Sequence, residues 1–109
     1  MKALTKIEET VLIAVWHLGE EAYGVNIKRR LKEVTGKDPL YSTLYATFEQ
    51  LVRKGYLDKR FGEPTAVRGG KRKVYFHITK DGFEALKAAF ENQKAVWGGI
   101  SEESFRGAL

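Results

Sequence analysis

Residues 59–73 (KRFGEPTAVRGGKRK) hold the densest set of anion-binding groups in the chain. Six are basic (Lys59, Arg60, Arg68, Lys71, Arg72 and Lys73), and Glu63 is the one acid among them. The stretch carries +5, as does the whole 109-residue chain, which leaves thirteen basic and thirteen acidic residues elsewhere. Ammonium and guanidinium groups between Gly62, Gly69 and Gly70 suit phosphate oxygens, with guanidinium able to bind two at once. Alone, such a run reads as a solvated surface more readily than as a site, so its neighbours must decide.

The other reactive side chains argue against catalysis. There is no cysteine, which removes disulfides, thiolate metal sites and cysteine nucleophiles together. His17 lies in an apolar helical stretch and His77 on a strand, with no paired carboxylates or nucleophile motif near either. Both read as structural histidines, and no metal, cofactor or enzymatic activity is expected. A pI near 9.5 favours a polyanionic partner, either nucleic acid or an acidic membrane surface. The apolar N-terminal run is interrupted by Glu8 and Glu9 and lacks a small-residue cleavage site, so neither a signal peptide nor a membrane span is expected. The expected location is the cytoplasm. With 43% hydrophobic and 30% charged residues, the composition is that of one ordered domain.

Several elements must position the basic stretch. Thr5-Lys6-Ile7-Glu8 fits a capping box, and Ile7, Val11, Ala14, Val15 and Leu18 follow at helical spacing to a stop at Gly19. Leu12 and Trp16 lie beside that stripe. After Ala22-Tyr23-Gly24, the stripe Ile27, Leu31 and Val34 predicts a second helix ending at Gly36. Its outer face (Lys28, Arg29, Arg30, Lys32) is open to two readings, a solvated face or a phosphate contact. A third helix must begin after Pro39, because the residue before proline is pushed from the α region. Leu44, Phe48 and Leu51 are its buried stripe, with Val52 beside them. The opposite face shows Tyr41, Ser42, Thr43, Ala46, Thr47, Gln50 and Arg53. Short polar residues in the first two turns suit a helix whose N-terminal end must approach base edges closely. Lys54-Gly55-Tyr56 then closes the helix.

From Tyr56 the period changes to two. A strand to Phe61 and a second over residues 72–78, with Val74, Phe76 and Ile78 on one side, predict a hairpin with a basic tip. The expected fold is α+β, mostly α: a winged helix-turn-helix of three helices and a two-stranded β-wing over residues 1–78. A long C-terminal helix, capped by Thr79, is expected over 79–100 as part of the same compact domain, and a frayed tail over 101–109. Phe83, Leu86, Phe90, Gln93, Trp97 and Ile100 form an a/d seam along that helix, which reads as a dimerisation face.

In the order of these features the chain resembles the PadR family of bacterial transcriptional regulators, over about residues 4–100. The matching motifs are Tyr23-Gly24, Thr43-Leu44-Tyr45, Leu51 with Gly55-Tyr56-Leu57, and the run Gly69-Gly70-Lys71-Arg72-Lys73-Val74-Tyr75-Phe76-His77-Ile78-Thr79 followed by Gly82. The last is the most specific. Ala46 stands where the family often has proline, and Phe48 where it often has leucine. The single C-terminal helix is similar to the family's short subgroup. The resemblance implies a homodimer whose C-terminal helices contact the partner's first helix. It also implies repression through a palindromic operator, with release by a small molecule in some members. Certain members hold planar aromatic compounds between tryptophans, which makes Trp97, with Trp16, a candidate effector contact beside the ordinary reading of Trp97 as dimer packing.

The functional expectation is a dimeric, sequence-specific binder of double-stranded DNA acting as a repressor. Helix three enters the major groove, with Tyr41, Ser42, Thr43 and Thr47 near bases or phosphates and the Tyr45 hydroxyl on a phosphate. Lys71, Arg72 and Lys73 hold the backbone or the adjacent minor groove. Phe83, Leu86, Phe90, Trp97 and Ile100 form the dimer interface. The alternative is a winged-helix module that binds an acidic protein partner without specific DNA binding.

Overall fold

A computed structural model describes residues 2–62 and 73–109. In chain order it contains α1 (Lys6–Leu18), a 3₁₀ turn (Gly19–Glu21), α2 (Gly24–Thr35), α3 (Tyr41–Arg53), β1 (Leu57–Phe61), β2 (Val74–Ile78), α4 (Lys80–Val96) and α5 (Glu102–Ala108). The basic tip expected at 63–72 lies outside the described residues. No described helix is long and apolar enough to cross a membrane.

Local chemistry accounts for most helix ends. At α1 the Glu8 N–H donates to Thr5 Oγ1 at 3.2 Å, and the Thr5 N–H donates to Glu8 Oε1 at 2.8 Å, which satisfies two orphan donors reciprocally. Gly36 ends α2 at φ 74°, a left-handed conformation that favours glycine. The core joins Val11, Leu12 and Val15 of α1, Ile27 and Leu31 of α2, Leu44, Phe48 and Leu51 of α3, and Phe76 of β2. Leu12 is fully buried while Ile7, Trp16 and Val34 are exposed, so the buried stripes of α1 and α2 are rotated slightly from the expected ones. Phe48 and Phe76, with ring centroids 4.5 Å apart, fasten α3 to the sheet.

The two strands pair antiparallel, Leu57 opposite Ile78 and Phe61 opposite Val74. The chain between α1 and α2 adds to this sheet: the Phe76 N–H donates to Ala22 O at 2.8 Å, and Tyr23 bridges to Tyr75. Three helices followed by a two-stranded wing are therefore present as expected. At the start of α4 the Thr79 hydroxyl donates to Gly55 O at 2.6 Å and accepts from the Gly82 N–H at 3.0 Å. Gly82 lies so close to the end of α3 that a methyl there would run into the Tyr56 carbonyl oxygen and, at 2.7 Å, into Ile78 Cγ2.

Only Gly82, Ala85 and Leu86 of α4 are buried, all within its first two turns. The rest projects, and the radius of gyration of 16.4 Å exceeds the roughly 13 Å expected of a compact chain this long. Two expectations for the C-terminus are corrected. The helix ends at Val96, where Trp97 caps it and Gly99 turns at φ 80°, so Ile100 lies beyond it. Residues expected to fray form α5 instead: Ser104 Oγ accepts the Ser101 N–H at 3.1 Å, and Glu102 and Glu103 sit at the positive end of the helix dipole.

Candidate nucleic-acid interface

The exposed face of α3 is built from small and aromatic residues. Tyr41, Ser42, Thr43, Tyr45 and Ala46 point outward, held by Leu44 and Phe48 beneath. Tyr45 packs edge-on against Phe48, with centroids 5.5 Å apart, and lies beside Tyr41 at 6.1 Å. A Cβ on Gly24 would sit 3.1 Å from the Tyr45 hydroxyl oxygen. The glycine after Tyr23 thus lets the start of α2 approach α3, which gives the Tyr-Gly motif a steric cause. Lys28 extends over the Tyr41 ring at 5.2 Å and pairs with Asp38, whose carboxyl that hydrogen bond holds below its ordinary range.

Lys73 is the one member of the Lys71, Arg72 and Lys73 cluster among the described residues; Lys71 and Arg72 lie outside them. Its ammonium sits 4.4 Å from the centre of the Tyr23 ring, and Tyr23 packs edge-on against Tyr75 at 5.5 Å. Lys73 therefore emerges beside the start of α2, next to the residue whose neighbour Gly24 faces Tyr45. Lys59, at the other shoulder of the basic stretch, pairs with Glu49 of α3, and its hydrogen bond keeps the Glu49 carboxyl below the usual range. That charge is partly neutralised within the chain.

Thr47 departs from the expected set. It is 7% exposed, and its hydroxyl donates to Thr43 O at 2.8 Å, so it is a packing residue rather than an outward contact. The first turn of α1 lies across a shallow groove from it. There Glu8 is buried: desolvation pushes its pKa up, but hydrogen bonds from Lys54 and the Thr5 N–H, with the Lys54 charge, hold it below the ordinary 4.5. Lys54 Nζ stands 2.7 Å from Glu8 Oε1 and 3.1 Å from Ala3 O, while the Tyr56 hydroxyl donates to Lys2 O. The N-terminal segment is thereby tied to the end of α3. Sequence spacing does not show this, because the partners lie about fifty residues apart.

The residues expected at a dimer interface divide. Leu86 is 7% exposed and belongs to the chain's own core, whereas Phe83, Phe90, Trp97 and Ile100 are exposed. Phe83 packs edge-on against Trp16 at 5.0 Å. These two rings, with Ile13, Leu86 and Phe90, line an apolar groove of about 440 Å³ flanked by Glu9 and Lys87. Trp97 lines a different groove, of about 570 Å³, with Leu4, Ala85 and Val96, and lies 6.2 Å from the Phe105 ring. Within one chain, then, Trp16 and Trp97 are not brought together. No group of His, Asp or Glu among the described residues is arranged to hold a metal.

Residues 12–88 match the Transcriptional regulator PadR-like family. Among solved structures, a transcriptional regulator from Clostridium thermocellum is 26% identical, with a TM-score of 0.72 over 86% of this chain and 88% of that one. RosR of H. salinarum is 27% identical, with a TM-score of 0.66 over 96% and 87%. A PadR-like transcription factor from Bacteroides fragilis is similar in fold, at 23% identity and a TM-score of 0.66 over 87% and 89%. No curated protein matches the chain.

Proposed function

Because this chain belongs to the PadR-like family of transcriptional regulators, we propose that it is a homodimeric repressor that reads a palindromic operator with α3. It is a regulator and not an enzyme. The observation that carries the proposal is the exposed first half of α3, where Ser42, Thr43 and Ala46 keep the helix surface low between flanking cations. A helix with short side chains can descend into the major groove until its hydroxyls meet base edges. Tyr41 and Tyr45 flank that surface, within reach of phosphates. Lys73, with Lys71 and Arg72 beyond the described residues, grips the backbone beside it. Thr47 is left out of the reading set because its hydroxyl is internally bonded.

Dimerisation is supported by the projecting part of α4, which exposes Phe90 and, at its C-cap, Trp97. Two copies of α3 would then meet half-sites about 10 bp apart, or a multiple of that. The apolar groove at Trp16 and Phe83 suits a planar aromatic effector that would release the operator. The setting for such a repressor is the cytoplasm. Sequencing the fragments that the purified protein selects from random duplex DNA tests the reading. A two-fold symmetric consensus is expected. Failure to retard any duplex at low salt overturns it in favour of a protein-binding winged helix.

A further inference from the structure

Beside the outward face of α3 lies a groove of about 490 Å³ that the sequence motifs do not mark. Its walls are Ile7 from the first turn of α1 and Ser42, Thr43, Ala46, Thr47 and Gln50 from α3. Ile7, 39% exposed, is the large apolar side chain facing this edge. Thr47 lines the groove with its hydroxyl already turned to its own backbone. The charge in the wall, Glu8, is already engaged by Lys54 and the Thr5 N–H. Beside the Ser42 and Thr43 hydroxyls, what remains is an apolar patch at Ile7 and Ala46 with one oriented amide at its rim. Arg53 Nη2 donates to Gln50 Oε1 at 2.9 Å. Since guanidinium can only donate, the amide oxygen must face it and the Gln50 NH₂ is left as a donor.

We propose that this notch receives the major-groove edge of a thymine, with its C5-methyl against Ile7 and Ala46 and its O4 accepting from the Gln50 amide. The inference rests on the reading of α3 as the DNA-reading helix and adds the base that one edge of it selects. Thymine is the base that presents an acceptor and a methyl group together in the major groove. Cytosine places an amino donor where Gln50 already donates, and the purines, though their N7 accepts, offer no methyl for the apolar patch. The notch also continues the surface of Ser42 and Thr43, so a duplex seated on those hydroxyls carries a base edge to it.

The test uses the full chain and the duplex it selects. Deoxyuridine replaces each selected thymine in turn, which removes only the C5-methyl. At one thymine per half-site the wild type should bind about fourfold more weakly, the equivalent of one buried methyl group. Ile7→Ala should show little further loss at that same position. 5-Methylcytosine there should not restore binding, because its amino group meets the Gln50 donor. Gln50→Glu, which accepts instead, should move the selected base from thymine to cytosine. Uracil tolerated at every thymine, or an equal loss in Ile7→Ala, overturns the notch while leaving α3 as the reading helix. If no sequence is selected at all, both readings fall together.

Discussion

Glu8, in the first turn of α1, and Thr47 of α3 are buried polar residues lining one groove, and each is satisfied without solvent. For Glu8 the hydrogen bonds from Lys54 and the Thr5 N–H outweigh desolvation, so its folded pKa lies below the ordinary 4.5. A carboxyl depressed in the folded state stabilises fully above its unfolded pKa, and that contribution is lost as pH falls through the lower folded value. Glu8→Gln should therefore cost about 2 kcal/mol at neutral pH. The gap from wild type should close as thermal melts are repeated from pH 7 towards pH 3. Thr43, by contrast, is exposed, and Thr43→Ala should leave the melt within about 0.5 kcal/mol while changing the bases recovered by DNA selection. The contrast between these two threonines marks what could be read from spacing. Thr43 and Thr47 lie one helical turn apart on α3, and spacing alone does not say that the second is buried with its hydroxyl turned to its own backbone.

Among the elements, those whose ends are set locally were legible in the sequence. The Thr5–Glu8 box, the glycines after α2 and α3 and the alternation of β2 all sit where short-range chemistry puts them. The C-terminus was not, because an a/d seam does not say which of its members the chain's own core takes, and Ser101 with Ser104 is a weaker cap than Thr with Glu. Leu86 thus left the seam for the core, and residues 102–108 became a helix. Gly82 of α4 was legible as a motif residue but not as a contact. Gly82→Ala should destabilise the fold by about 1–3 kcal/mol, the usual cost of overpacking against backbone, as measured by urea denaturation. The wing makes a separate prediction. Replacing Lys71, Arg72 and Lys73 with alanine should lower the salt dependence of DNA binding by about 0.9 per lost phosphate contact while preserving the selected sequence. An unchanged slope removes the wing from the interface.

For the whole molecule, the basic and apolar surfaces divide the work. Cations collect beside α2, α3 and the wing, whereas from Phe83 onward large exposed apolar residues run along α4, the turn after it and α5. Among the described residues, 58 Å long and 22 Å thick, only the first two turns of α4 are buried in the core. Phe90, 58% exposed, should be replaceable by glutamate without loss of the monomer fold. Phe90→Glu should convert the assembly to the 12.4 kDa single chain in light scattering and weaken operator binding, since one half-site cannot supply the contacts of two. A wild type already monomeric at the same concentration would remove the dimer from the proposal.

The Tyr56 carbonyl touches both halves of this division. It accepts the Thr79 N–H at 3.1 Å and abuts Gly82, so the C-terminal end of α3 and the start of α4 turn about one point. Seventeen residues of α4 make an arm of about 25 Å beyond that pivot. A tilt of only 5° there swings the far end by about 2 Å, and no methyl-sized slack exists at the fulcrum to absorb it. Angles set between two such arms are thereby geared to the separation of the helices at their bases.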